Sequence, residues 1–127
     1  MPPDQKTGVA FFAHGSSIES ANQAVREVAR AAAARAGFAL WETAFLEGGR
    51  PDLAGAVERL AAAGAGRIVI VPYFLTLGLH LQRDLPRLIK DIAGAHQNIE
   101  IVCGEPLDGH PALVEILAER ARQACEK

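Results

Sequence analysis

Apolar positions along this chain follow two rhythms. Short, nearly continuous apolar runs are each followed by a longer stretch in which apolar residues return at helical spacing, and the pair recurs four times. Residues 7–13 are apolar almost throughout, as a buried parallel strand requires. Over 20–36, Val25, Val28, Ala29, Ala32 and Ala33 fall on one helical face, and Gly37 suits the C-terminal cap. A second strand over 38–46 puts Trp41, Thr43 and Phe45 on one side and Glu42 on the other, a mixed pattern that predicts an edge strand. After Gly48-Gly49-Arg50-Pro51, with Pro51 suited to a first helical turn, Leu53, Ala56, Val57, Leu60 and Ala61 mark a second helix that Gly64 and Gly66 stop. The third strand, 67–73, carries Ile68, Val69, Ile70 and Val71 and is expected at the centre of a sheet. An apolar loop over 74–79 leads into a helix over 81–93 with Leu81, Leu85, Leu88, Ile89 and Ile92 in phase. Pro86 interrupts that pattern and moves the expected helix start toward Leu85. A fourth strand over 99–103 and a helix from about Pro111, with Leu113, Ile116, Leu117, Ala121 and Ala124 in phase, complete the chain.

Strands alternating with helices across short connections define an α/β protein: a four-stranded parallel sheet flanked by helices in three Rossmann-like layers. The expectation is one domain over 1–127, with its core over about 7–125. Right-handed crossovers restrict the topology, and the expected strand order is 2-1-3-4, with strands one and three adjacent. Ligands bind such sheets outside the carboxyl ends of the strands, at the point where the order reverses. That point lies between strands one and three. His14 follows the first strand and His80 follows the third, so two histidines distant in sequence are expected to face one cleft. Imidazole is the commonest protein metal ligand, which makes metal handling the first chemistry to consider.

Composition narrows the picture. The 127 residues are half hydrophobic and carry a formal charge of −2, so a core can form without disulfides, and no basic run points to nucleic acid. The two cysteines, Cys103 and Cys125, form no CxxC pair and call for no oxidising compartment. The most apolar stretch, 68–81, is interrupted by Pro72, Thr76, Gly78 and His80 and is too short to span a bilayer. The N-terminus lacks an apolar signal core. A cytoplasmic protein with no membrane partner is expected.

The strand ends carry the candidate chemistry. In His14-Gly15-Ser16-Ser17, Gly15 permits a tight exit from the strand, and the Ser16 and Ser17 hydroxyls and amides suit an anionic group; the same residues also make an ordinary capping turn. Glu47, after the second strand, can complete a metal site or accept a proton, or be a plain loop glutamate. The segment from Phe74 to His80 is too apolar for a solvated connector. It suits a wall for a flat ligand, or a surface packed on the protein itself or on a partner subunit. His110 falls at the ligand edge and His96 at the opposite edge. No GxGxxG, GxxxxGK[ST], GxSxG or HExxH sequence occurs, which disfavours nucleotide binding, a serine hydrolase and a zinc protease.

With these motifs in order, the chain resembles the short-form sirohydrochlorin chelatases, the class II chelatases that insert cobalt, nickel or ferrous iron. Ala13-His14-Gly15-Ser16 is similar to the family's first motif and Phe45-Leu46-Glu47 to its second. Residues 72–80 followed by Arg83-Asp84-Leu85-Pro86 are similar to the third, and residues 105–117 to the closing segment. The resemblance spans about residues 8–122 and implies a chelatase-like fold. It implies His14, Glu47 and His80 as metal ligands and catalytic groups, a tetrapyrrole substrate, and no cofactor beyond the divalent metal that is itself a substrate, with cobalt ahead of iron and nickel. It also implies a homodimer, because longer relatives fuse two such domains. Ser17 stands where many relatives have arginine, and Asp108 where many have glycine.

Such a site suits the reaction. Neutral imidazole holds a borderline divalent ion and can release it, while carboxylate or vacated imidazole accepts pyrrole protons. The macrocycle is expected against Phe74, Leu75, Leu77 and Leu79. Arg83, with Arg50 and Arg87, and the Ser16 and Ser17 amides are expected at its carboxylates. A non-catalytic tetrapyrrole or metal carrier using the same pocket is the alternative, and a domain binding a phosphorylated metabolite at the His14 loop is a weaker one.

Overall fold

Each apolar run becomes a strand and each periodic stretch a helix. In a computed structural model that describes residues 6–127, the order is β1 (Lys6–Ala13), α1 (Glu19–Ala36), β2 (Leu40–Phe45), α2 (Leu53–Ala62), β3 (Ala65–Tyr73), α3 (Leu79–Ala95), β4 (Glu100–Cys103) and α4 (Pro111–Cys125). The expectations for residues 1–5 lie outside the described residues. All strand pairs are parallel and the sheet order is β2-β1-β3-β4, with β2 at an edge, as the pattern predicts. Among the described residues no helix is long and apolar enough to cross a membrane.

The central strand β1 buries both faces. Ala10 and Phe12 join Leu53, Val57, Leu60, Ile68, Ile70, Leu85 and Ile92 in the larger core, under α2 and α3. Val9 and Phe11 join Ala29 and Ala33 of α1 in a smaller one, with Trp41 and Val71 packed against it. Strand side chains alternate between faces, so a run such as Val9-Ala10-Phe11-Phe12 feeds two cores at once.

Four local expectations shift. The inward face of α1 is Asn22, Ala29 and Ala33, while Val28 points outward. There Ala29 and Ala33 pack with Val9 and Phe11, and Phe38, Trp41 and Val71 lie against them. Pro51 precedes α2 rather than opening it: Asp52 is the N-cap, and its Oδ1 accepts from the Gly55 amide at 2.8 Å. Such a cap contributes about 1 kcal/mol. Next, α3 begins at Leu79 and runs through Pro86. The proline deprives the Gln82 carbonyl of its helical donor. Both residues are exposed, so water can take that carbonyl, and buried Leu85 and Ile92 hold the helix to the core. Finally, α4 buries no residue; Val114 and Leu117 are each 68% exposed. Among the described residues Leu113 of its apolar face is half-buried, while Val114, Ile116 and Leu117 stay exposed.

Candidate functional site

Strand register sets the level at which the site begins. Ala13 pairs with Phe45 on one side and with Tyr73 on the other, so β1, β2 and β3 end in one row. His14, Leu46 and Phe74 therefore leave the sheet together at its carboxyl edge. The ladder continues two residues beyond β2: the Leu46 amide donates to the Ala13 carbonyl at 2.9 Å and the Glu47 amide to the His14 carbonyl at 3.0 Å. This brings His14 Nε2 to 3.6 Å from Glu47 Oε1, with both side chains open to solvent.

Glycine makes the approach feasible. Gly15 has φ +87°, and a Cβ there would stand 1.8 Å from the Glu47 carbonyl oxygen. Gly48 has φ +72°, and a Cβ there would stand 2.6 Å from the Ser16 carbonyl carbon. Any larger residue at either position would force the two loops apart.

His80 enters from the first turn of α3. It and His14 line one pocket of about 420 Å³, together with Leu46, Leu81, Asp84, Leu85 and Leu88. The His14 ring also stands edge-on to Phe74, with centroids 6.4 Å apart, and Phe74 in turn stands edge-on to Phe12 at 5.7 Å. An Arg83 guanidinium nitrogen lies 3.1 Å from His80 Nδ1. Guanidinium has no acceptor, so Nδ1 must be the accepting nitrogen, and a neutral ring then carries its proton on Nε2.

The structure thus joins His14 to Glu47 directly and to His80 through the shared pocket. It does not gather the three: among the described residues no group of three or more His, Cys, Asp or Glu side chains is close enough to hold a metal ion. The apolar lining of this pocket comes mostly from α3. Leu81, Leu85 and Leu88, spaced at one helical face, line the pocket. Phe74 and Leu77 pack back against the core, while Leu75 and Leu79 are 68% and 78% exposed. The early start of α3 explains this, because it puts the in-phase leucines of the helix, rather than the loop before it, over the cleft. That periodicity was visible in sequence as a core face; Leu46 and Asp84 lie inside the second and third motifs but carry no expected role there.

The Ser16 groups are already engaged. Its amide donates to Asn22 Oδ1 at 2.9 Å, its carbonyl accepts from Asn22 Nδ2 at 2.9 Å, and its hydroxyl accepts from the Ile18 amide at 3.0 Å. Ser17 is exposed. Arg83 is engaged by His80 rather than held free at a rim. His110 caps α4, its Nδ1 accepting from the Ala112 amide at 3.0 Å. Asp108 accepts weakly from the Thr76 hydroxyl at 3.5 Å, and the Leu107 amide donates to the Phe74 carbonyl at 3.0 Å, which ties the closing loop to the segment before His80. Burial pushes the Cys103 thiol up, with Glu105 adding to the effect, so it is a poor thiolate ligand.

Known proteins share this sequence pattern and fold. The CbiX family model matches residues 8–124. The sirohydrochlorin cobaltochelatase of Methanopyrus kandleri is 29% identical, over 91% of this chain and 95% of its own length. That of Sulfurisphaera tokodaii is 31% identical, over 91% of this chain and 92% of its own. Among solved structures, the Bacillus subtilis subspecies spizizenii sirohydrochlorin chelatase SirB in complex with cobalt superposes with a TM-score of 0.87 at 25% identity, over 94% of this chain and 51% of SirB.

Proposed function

This chain belongs to the CbiX family, and from that premise we propose that it inserts a divalent metal ion into sirohydrochlorin at the pocket between His14 and His80. Cobalt is the first candidate metal, with ferrous iron and nickel as alternatives. The observation that carries this reading is the placement of both histidines on one pocket at the carboxyl edge of the sheet, with Glu47 3.6 Å from His14.

That spacing suits shared ligation. Two protein ligands at about 2.1 Å from one ion stand about 3–3.5 Å apart, so His14 and Glu47 need only a small adjustment to bind one metal. His80 completes the set from across the pocket. A metal ion takes His80 at Nδ1 only by displacing Arg83, whose guanidinium then becomes available to a substrate carboxylate. Insertion releases two pyrrole protons as four ring nitrogens replace the protein ligands. Glu47, and each imidazole as it gives up the metal, are the acceptors within reach. Leu46, Leu81, Leu85 and Leu88 offer the macrocycle an apolar floor.

Assembly with a second copy belongs to the same reading. The chain spans about half the length of SirB, and α4 presents Val114 and Leu117 to solvent. A homodimer covering α4 accounts for that exposure. Light scattering is expected to give twice the chain mass, and Leu117→Glu to give a monomer. We also place the protein in the cytoplasm, where the tetrapyrrole and metal would meet it.

The direct test supplies purified protein with sirohydrochlorin and cobalt, ferrous iron or nickel. Multiple turnovers above the spontaneous rate, fastest with cobalt, support the reading. Stoichiometric binding of tetrapyrrole or metal without turnover would replace it with the carrier.

A further inference from the structure

We infer that Asn22 is the positioning residue of the candidate metal site: its carboxamide ties the loop bearing His14 to the loop bearing Glu47 and so sets the spacing of those two side chains. The inference rests on the metal-site reading above. Asn22 is 1% exposed and lies on the inward face of α1. Its Oδ1 accepts from the Ser16 amide at 2.9 Å, and its Nδ2 donates to the Ser16 carbonyl at 2.9 Å and to the Gly48 carbonyl at 3.1 Å. Ser16 lies two residues after His14, and Gly48 directly follows Glu47. One rigid group therefore spans both loops from a helix packed on the sheet.

The match is chemical as well as geometric. Two carbonyls and one amide converge on this buried point, and they call for two donor hydrogens and one acceptor from a single planar group. A carboxamide supplies that set. Aspartate keeps the acceptor and loses both donors, leucine loses all three, and glutamine moves the group outward by a methylene. The close approaches at Gly15 and Gly48 show that the loops already touch, so a lost bridge is transmitted to the next residues. Asn22 reaches neither metal nor substrate. It acts through His14 and Glu47, as groups behind metal ligands generally do.

The competing explanation is that Asn22 only stabilises the fold, and metal affinity separates the two. Cobalt is titrated into the parent and into Asn22→Asp, Asn22→Leu, His14→Ala and Ile92→Ala, with melting temperature measured on each. Ile92 is a buried residue of α3 that does not line the pocket, so Ile92→Ala is a control for lost stability alone. Asn22→Asp is expected to weaken cobalt binding about tenfold, and Asn22→Leu more, in the range found when groups behind metal ligands are removed. Ile92→Ala is expected to melt lower and to bind cobalt like the parent. If Asn22→Leu does not fold, the near-isosteric Asn22→Asp decides. Binding within twofold of the parent in Asn22→Asp, while His14→Ala loses it, overturns the inference and leaves the metal site standing. Parental binding in His14→Ala overturns the metal site and the inference with it.

Discussion

His14 leaves β1 through a loop held from several sides, whereas His80 rides the first turn of α3 with a single side-chain partner. Backbone bonds to Leu46 and Glu47, the Asn22 carboxamide and two glycines in close approach surround the first corner. The second is attached from its periphery: the Gln82 side chain donates to the Leu77 carbonyl at 2.8 Å, and the Leu107 amide donates to the Phe74 carbonyl. Gly78, just before α3, has open space where a Cβ would stand. In the proposed site one ligand pair is set before metal arrives, and the third ligand comes from a segment with room to adjust. That division fits a site that must bind an ion and then give it up to a stronger set of ring nitrogens.

The same substitution in both corners tests the comparison most sharply. Gly15→Ala forces a positive φ on alanine and puts its Cβ against the Glu47 carbonyl, so it should cost about 2–4 kcal/mol in urea unfolding. Gly78→Ala should stay within about 1 kcal/mol of the parent. Similar values for the two would remove the distinction between the corners.

Activity should divide along the same line. Glu47→Gln keeps the shape of the set corner and removes its charge. Insertion should slow about tenfold while cobalt affinity changes no more than about threefold, if proton acceptance is its main task. Equal losses would make Glu47 a primary ligand. On the adjustable side, Arg83→Met frees His80 Nδ1. Cobalt should bind about threefold tighter and the KM for sirohydrochlorin should rise by a similar factor, as expected for an exposed charge-assisted bond. An unchanged KM would leave Arg83 without a part in substrate binding. The smallest effect is expected from Leu79→Ser. The side chain is 78% exposed, so stability should move by no more than about 0.5 kcal/mol. A larger, concentration-dependent loss would mean that a second copy covers Leu79 as well as α4.

The strand ends were legible in the sequence because buried parallel strands are continuous apolar runs; His14 directly follows β1, Glu47 stands two residues past β2, and His80 follows β3 across a short loop. Right-handed crossovers restricted the topology, and the expected strand order is the one observed. The start of α3 was harder to place. A proline inside a periodic pattern ordinarily marks a boundary, but here the packing of Leu85 and Ile92 outweighs one lost backbone bond on an exposed turn. With that start, Leu81, Leu85 and Leu88 come to line the pocket shared by His14 and His80. Asn22 was illegible for a different reason. A polar residue in an amphipathic helix reads as solvent-facing, and its burial depends on the Ser16 carbonyl six residues before it and on the Gly48 carbonyl of a loop 26 residues away. Periodicity in one segment carries no information about such a partner.

The account turns on whether His14 and His80 act together on the metal. The initial rate of cobalt insertion into sirohydrochlorin, corrected for the spontaneous reaction, should fall by about a hundredfold or more in both His14→Ala and His80→Ala, and the double variant should be little worse than either, since groups acting as one unit are not additive. Both side chains are exposed, so the melting temperatures should match the parent. Insertion at the parental rate in either folded single variant would contradict the account.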